Sequence, residues 1–242
     1  MSGTAGRPRL SIVLPCLNEA ERLPATLATY LAHYPPGRGE VELVVVDDGS
    51  TDGTSAVADR VAVADQRVRV LRTDGNHGKG YAVRAGVRAA QGELVVFTDA
   101  DGSYGPEQVD RVAAALATAP VAIGARFGEQ AGAGPPLRRL ASRVFNRAMR
   151  LLLDLEFHDT QCGLKGFRRA RVDGFAFDAE ALLVAGLLGL EVVEVPVRAE
   201  VRAGSKVHLA GDAVRMLADV WAVRRAGGRG AYEEVPVRDP AG

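Results

Sequence analysis

The chain has 242 residues, 47% of them hydrophobic and 25% charged, the values of a globular protein with enough chain for one sizeable α/β domain. Its 30 basic and 30 acidic residues cancel, so no global field draws nucleic acid or an anionic membrane, and any anion site has to be built locally. The two cysteines, Cys16 and Cys162, make no disulfide framework and read as buried, reduced thiols.

Residues 1–8 read as a disordered lead, with no signal peptide before Arg9-Leu10. Leu10 to Leu14 is a short apolar run closed by Pro15 and predicts a buried strand. Asn18-Glu19-Ala20-Glu21 opens a helix to about Tyr34, with acids at its positive end. Pro35-Pro36-Gly37 is a loop, and Val41 to Val46 is a second strand that stops at Asp47-Asp48-Gly49-Ser50-Thr51-Asp52-Gly53-Thr54. A helix over Ala56 to Ala64, a strand over Val68 to Leu71 and a helix over Lys79 to Ala90, entered through glycines, come next. Leu94 to Phe97 is a four-residue strand that runs into Asp99-Ala100-Asp101-Gly102. Pro106 opens another helix, a favoured first position, and Val121 to Gly124 is the next strand.

This alternation predicts a parallel sheet flanked by helices. The carboxyl ends of its strands share one edge, where open α/β sheets bind ligands. The segments at Pro15, Asp47 and Asp99 therefore converge although they are far apart in sequence. Asp99 and Asp101 offer two hard oxygen ligands, suited to a divalent cation such as Mg²⁺ or Mn²⁺ that bridges to substrate phosphates. A surface turn with two solvated acids is the competing reading.

After residue 125 the pattern changes. Gly128 to Pro136 is a loop, and Leu137 to Leu153 a helix with two faces. Arg139, Arg143, Arg147 and Arg150 form a basic stripe opposite Leu137, Leu140, Val144, Ala148 and Leu152. The stripe is either a solvated face or an interfacial one that touches lipid and phosphate head groups. Asp159 to Gly166 is a polar loop, Ala179 to Leu188 an apolar helix, and Glu191 to Val197 a strand with alternation. Ala203-Gly204-Ser205 is a loop, Ala213 to Arg225 an amphipathic helix, and 226–242 a loose tail. The longest apolar run, Ala181 to Leu190, is about half of the ~20 residues a spanning helix needs, which predicts a cytoplasmic protein with no transmembrane span. Lysine is scarce: Lys79, Lys165 and Lys206 stand against 27 arginines, each in a glycine-containing segment. Lysine is a compact, mobile charge suited to phosphate.

Four segments, in this order and spacing, carry a resemblance. They are Pro15-Cys16-Leu17-Asn18-Glu19, Val46 to Thr54, His77-Gly78-Lys79-Gly80 and Asp99-Ala100-Asp101. Over about residues 10–225 the chain resembles the GT-A fold glycosyltransferases of family 2. Gly124-Ala125-Arg126-Phe127, His158 to Phe167, Phe175 to Glu180 and Arg202-Ala203-Gly204-Ser205-Lys206 are similar to the polyprenyl-phosphate sugar synthases. Within that group the Asp159-Thr160-Gln161-Cys162-Gly163 stretch looks most like the dolichyl-phosphate β-glucosyltransferases, with the mannosyl synthases as the other branch. The resemblance implies a Rossmann-like, mostly parallel sheet flanked by helices, as one domain over 9–225. Residues 9–126 would be its nucleotide-sugar half and 127–225 its acceptor half. It implies an inverting, metal-dependent transfer of a hexose, glucose favoured, from a nucleotide sugar to a polyprenyl phosphate, with Mg²⁺ or Mn²⁺ as cofactor. UDP-glucose is the favoured donor and GDP-mannose the alternative. Relatives often carry a membrane segment and none is evident here, so attachment is expected to be peripheral, at the inner face of the cell membrane. The same gap leaves a soluble acceptor as the second reading and a non-catalytic nucleotide-sugar sensor as a third.

The resemblance also assigns site residues. Pro15, Leu17 and Glu19 line the base and ribose pocket, with Asp47 as the nucleoside-binding acid. Asp48 either shares that pocket or caps the Gly49–Thr54 turn. Lys79 reaches a nucleotide phosphate or base edge. Asp99 and Asp101, around Ala100, hold the metal and through it the diphosphate. Ser103 stands where the mannosyl branch has a third, glutamine ligand, so water takes that place. Arg126 meets the phosphate groups, and Arg202, Ser205 and Lys206 form a loop closing on a phosphate. Asp159 is a general base if the acceptor is an alcohol, and a positioning residue if it is a phosphate. His158 and Cys162 read as structural.

Overall fold

The computed structural model describes residues 8–36, 41–126, 159, 162–169 and 191–200. Seven strands, β1 (Leu10–Cys16), β2 (Val41–Asp47), β3 (Val68–Arg72), β4 (Leu94–Phe97), β5 (Val121–Ala125), β6 (Lys165–Arg168) and β7 (Val192–Pro196), form one sheet in the order β3-β2-β1-β4-β6-β5-β7. All pairings are parallel except those of β6, which runs antiparallel to both β4 and β5. The central strands read as unbroken Val, Ile and Leu runs because helices cover both their faces. Ile12, Val13 and Leu14 of β1 and Leu43 to Val46 of β2 are fully enclosed.

Helices α1 (Leu23–His33), α2 (Thr54–Ala64), α3 (Lys79–Ala89) and α4 (Pro106–Ala115) join the parallel strands. Leu23, Leu27 and Tyr30 of α1 and Val109 and Val112 of α4 share one core with Ile12, Leu14, Val45 and Val96. Tyr30 also donates to the Tyr104 carbonyl (2.8 Å), and Tyr34 and His33 reach Asp110 (2.8 and 2.7 Å), which ties α1 to α4. Helix α3 covers the other face, with Gly86 seated directly on Val13 and Val46.

Three departures from the sequence prediction shape the ligand edge. Strand β1 does not stop at Pro15. Its ladder to β4 ends where the Thr98 N–H donates to the Val13 carbonyl (3.0 Å). Pro15, two residues on and turned to the same neighbour, has no N–H with which to extend that ladder. Pairing with β2 continues through Asp48 N–H to the Cys16 carbonyl (2.9 Å). Strands β1 and β4 therefore part at the carboxyl edge. The chain winds outward from β1 to β3 and then crosses back to β4, so this parting is also the topological switch point. Helix α1 starts at Leu23 rather than Asn18 because Pro24 is tolerated only in a first turn. Asn18 lies in the left-handed region (φ 56°) and belongs to the loop. The predicted polar loop up to Gly166 ends in strand β6, whose Lys-Gly-Phe-Arg sequence carries no apolar alternation to announce it. Among the described residues no helix is long and apolar enough to cross a membrane.

Candidate active site

The turn after β4 sits at the switch point. Ala100, between the two acids, is buried, and its carbonyl accepts the Thr26 hydroxyl of α1 (2.9 Å). Asp101 accepts the Ser103 N–H (2.9 Å), and Gly102 takes a positive φ of 73° to close the turn. The Ser103 carbonyl in turn accepts the Glu200 N–H (2.8 Å). The chain thus passes the acid turn two residues before Arg202. One oxygen of Asp99 pairs with the Lys79 ammonium (2.5 Å). The other lies so close to the Gly163 backbone that a Cβ at Gly163 would run into the carboxylate.

The loops after β1 and β2 are laced together. Ser50 accepts the Asn18 N–H (2.9 Å), Thr54 accepts the Glu19 N–H (2.8 Å), Asp52 accepts the Ala20 N–H (3.1 Å) and Asn18 accepts the Thr51 N–H (2.9 Å). Glu19 carries a double ion pair with Arg22, at 2.7 and 2.5 Å. The Arg22 guanidinium is held above its ordinary value chiefly by that bond, and Asp101 adds to the effect, so the pair lies within the field of the acid turn. Leu17 is exposed beside it.

Asp47 and Asp48 are both buried but serve different elements. Asp47 accepts the Ser50 N–H (3.0 Å) and the Ser55 hydroxyl, so it caps its own turn. Asp48 reaches the β3–α3 connection, accepting from the Thr73 hydroxyl (3.0 Å), His77 N–H (3.1 Å) and Gly78 N–H (2.7 Å). The turn-capping role considered for Asp48 belongs to Asp47. Adjacent residues on a strand point opposite ways, which is why the two part company. Gly49 (φ 76°) packs on the Gly75–Asn76 backbone, closer than any side chain permits. Asp48 and Gly49 together fix the entry to α3, whose first residue is Lys79.

At the end of β5, Arg126 grips Asp159 through Nε (2.6 Å) and Nη2 (3.1 Å), while its backbone N–H reaches the same carboxylate (3.3 Å). The Asp159 side chain is 7% exposed and that of Arg126 32%. Burial pulls the Arg126 guanidinium down, but the bond and charge of Asp159 outweigh it and leave it above its ordinary value. The Asp159 N–H donates to Glu194 of β7 (3.3 Å). Both cysteines are buried, and burial pushes each thiol up, with Glu19 and Asp47 adding to the effect at Cys16 and Asp159 at Cys162. Neither is a poised nucleophile.

The structure thus brings Pro15, Leu17, Glu19, Asp47, Asp48, Lys79, Asp99, Ala100, Asp101, Arg126 and Asp159 to one sheet edge. Arg139, Arg143, Arg147, Arg150, Arg202, Ser205, Lys206 and His158 lie outside the described residues, as do the predicted helices over 137–153, 179–188 and 213–225. Two residues enter that the sequence prediction did not place in the site. Arg22 was legible as a Glu-x-x-Arg spacing, whereas Thr26 carries no local signal for its reach to Ala100. Lys165 starts β6 and is 2% exposed, its ammonium 5.6 Å from the Phe97 ring centre. The donor chemistry at Asp99 and Asp101 fits a hard cation, since Asp99 already holds an ammonium in this structure. Among the described residues no third His, Cys, Asp or Glu joins them.

The family model for glycosyl transferase family 2 matches residues 11–174. Polyprenol monophosphomannose synthase of Mycolicibacterium smegmatis is 36% identical over 207 residues, 78% of this chain and 76% of its own. Dolichyl-phosphate beta-glucosyltransferase of Saccharomyces cerevisiae is 29% identical over 256 residues, 93% and 77% of the two chains. Glycosyltransferase AglD of Haloferax volcanii is 32% identical over 233 residues, 89% of this chain but 37% of AglD. The chain therefore spans little more than a third of that relative. In fold it is similar to glucosyl-3-phosphoglycerate synthase from Mycobacterium tuberculosis in complex with uridine-diphosphate (TM-score 0.65, 24% identity, 90% and 80% covered). It is also similar to the mannosyltransferase PcManGT from Pyrobaculum calidifontis in complex with GDP-Man and Mn²⁺ (TM-score 0.63, 23% identity, 91% and 65% covered).

Proposed function

Because the chain belongs to glycosyl transferase family 2, we propose that it moves a hexose, glucose favoured, from a nucleotide sugar to a polyprenyl phosphate with inversion at the anomeric carbon. The names of its relatives, which cover both glucosyl and mannosyl transfer to such lipids, support this class of acceptor. UDP-glucose is the favoured donor and GDP-mannose the alternative. Asp99 and Asp101 are the residues that would hold Mg²⁺ or Mn²⁺, which would supply positive charge against the departing diphosphate. Glu19, Leu17, Pro15 and Asp47 border the nucleoside, and Arg126, Arg202, Ser205 and Lys206 meet phosphate. The Arg139–Arg150 stripe faces the lipid acceptor at the membrane surface.

One observation carries the choice of acceptor. Both oxygens of the buried Asp159 are taken up by the half-buried Arg126, so accepting a proton would break this ion pair. An alcohol acceptor needs a base, whereas a phosphate is already ionised near neutral pH. In the reaction a phosphate oxygen supplies the electron pair for the new bond to the anomeric carbon. The old bond breaks with its pair going to the nucleoside diphosphate. Asp159 then serves to aim Arg126.

The test supplies labelled UDP-glucose or GDP-mannose with Mn²⁺ and offers polyprenyl phosphate, polyprenol or 3-phosphoglycerate. Label entering an organic-extractable, mild-acid-labile product with the phosphate but not with polyprenol is the expected result. Label appearing only in a water-soluble glycoside of the added acceptor supports the second reading, a soluble acceptor.

A further inference from the structure

Lys79 does more than stand near a phosphate site. Its ammonium is seated on Asp99, one of the two acids proposed to hold the metal. The opposite carboxylate oxygen of Asp99 is backed against Gly163, which limits its movement on that side. The Lys79 backbone is held as well. It is the first residue of α3, and Asp48 pins the two residues before it through the His77 and Gly78 N–H groups. Only the four-carbon stem is left to move. The two side chains are 45% and 34% exposed, so their attraction is screened by solvent and weak enough to yield.

We propose that Lys79 is a tethered counter-ion that occupies Asp99 until a nucleotide diphosphate draws it away, so that metal and nucleotide enter the site as one unit. This rests on the assignment of Asp99 and Asp101 as the metal-holding acids. A free divalent cation has to displace the ammonium and then share the site with its positive charge. A cation arriving with a diphosphate brings two negative groups to which the ammonium transfers. Metal and nucleotide therefore each strengthen the other's binding by the same factor. This gives the scarce Lys79 a task that an arginine fork, rigid and planar, would perform less well.

The test is Mn²⁺ titration followed by electron paramagnetic resonance, on the full chain, with and without UDP or GDP. Wild type is compared with Lys79→Met and with Arg84→Met, which removes a charge from the outer part of the same helix. Lys79→Met is expected to bind Mn²⁺ alone roughly two- to five-fold more tightly than wild type, the upper part of the range of a screened ion pair. It should also show a smaller gain on adding nucleotide. Arg84→Met should change Mn²⁺ affinity less than about two-fold, because Arg84 lies more than a turn further along α3 and its guanidinium rests over the Tyr81 ring. If Lys79→Met binds Mn²⁺ alone no better than wild type while both bind it with nucleotide, the counter-ion role is overturned and the metal assignment stands. If wild type binds no Mn²⁺ with either nucleotide, the metal assignment is overturned and this inference with it.

Discussion

Gly163 is the backbone on which the acid turn leans, and it yields a sharp prediction. In Gly163→Ala the new methyl meets the end of the Asp99 side chain, not the hydrophobic core. The melting temperature should change little. Mn²⁺ affinity in the presence of UDP, measured by titration calorimetry, should fall at least ~10-fold, because ligand groups displaced by about 1 Å lose most of their effect. An unchanged affinity would show that Asp99 does not hold the cation. The acids themselves were legible in the sequence only in combination, since Asp-x-Asp alone is a weak signal and gained weight from sharing a sheet edge with the Pro15 and Asp47 segments. The division of labour between Asp47 and Asp48 was not. It depends on which way each carboxylate points from the end of β2, and on Thr73, His77 and Gly78 arriving from another element. Arg126 and Asp159 were both singled out in the sequence, yet nothing in 33 residues of separation signalled that they hold each other.

Among the elements, the loop lacing after β1 and β2 should respond to acid. Burial is the largest single influence on the Asp52 carboxyl and raises it, but the hydrogen bonds from Thr54 and from backbone N–H groups, that of Ala20 among them, together outweigh it and hold Asp52 below its ordinary value. A carboxyl lowered on folding stabilises the fold fully above its unfolded value near ~3.9, and the contribution is lost as pH falls through the lower folded value. Wild type should therefore out-melt Asp52→Asn at pH 6–7, by a margin that closes below about pH 4. Melting curves across that range check it, and a constant margin would contradict it. Helix α3 offers a second test. Gly86→Ala gains ~1 kcal/mol of helix propensity, but its methyl is driven into Val13 and Val46. Overpacking of that kind costs about 1–3 kcal/mol, so the variant should be net destabilised by about 1 kcal/mol in urea unfolding. Elements marked by a dense apolar run, such as β1, β2 and β4, were legible from the sequence, and Pro106 marked the start of α4. Strand β6 was not, because its Lys165, Gly166 and Arg168 carry no apolar pattern, and its place comes from the two strands it joins. The start of α1 was misread because the acids at Glu19 and Glu21 imitate a first turn, while Pro24 sets the true one.

For the molecule as a whole, ligand binding should appear as stability. At UDP and Mn²⁺ concentrations about 100-fold above their dissociation constants, mass action adds ~2.7 kcal/mol, or roughly 5–10 °C in a chain of this size. A chelator should abolish most of that shift and leave the unliganded melting temperature unchanged, whereas a shift insensitive to chelation would argue for nucleotide binding without metal. The general architecture was legible at this scale, a mostly parallel sheet with its ligand edge at the ends of β1, β2 and β4. What sequence order concealed is that β5 is not bonded to β4. Strand β6, made some forty residues later, lies between them and bonds to both. During synthesis on a ribosome, the first 126 residues therefore cannot finish their own sheet. Strand β4 waits with one open edge, and β5 waits without its inner neighbour, until residues 165–168 have emerged. The growing chain carries an exposed strand edge through that interval, the kind of surface that chaperones shield and that invites misassembly between neighbouring nascent chains.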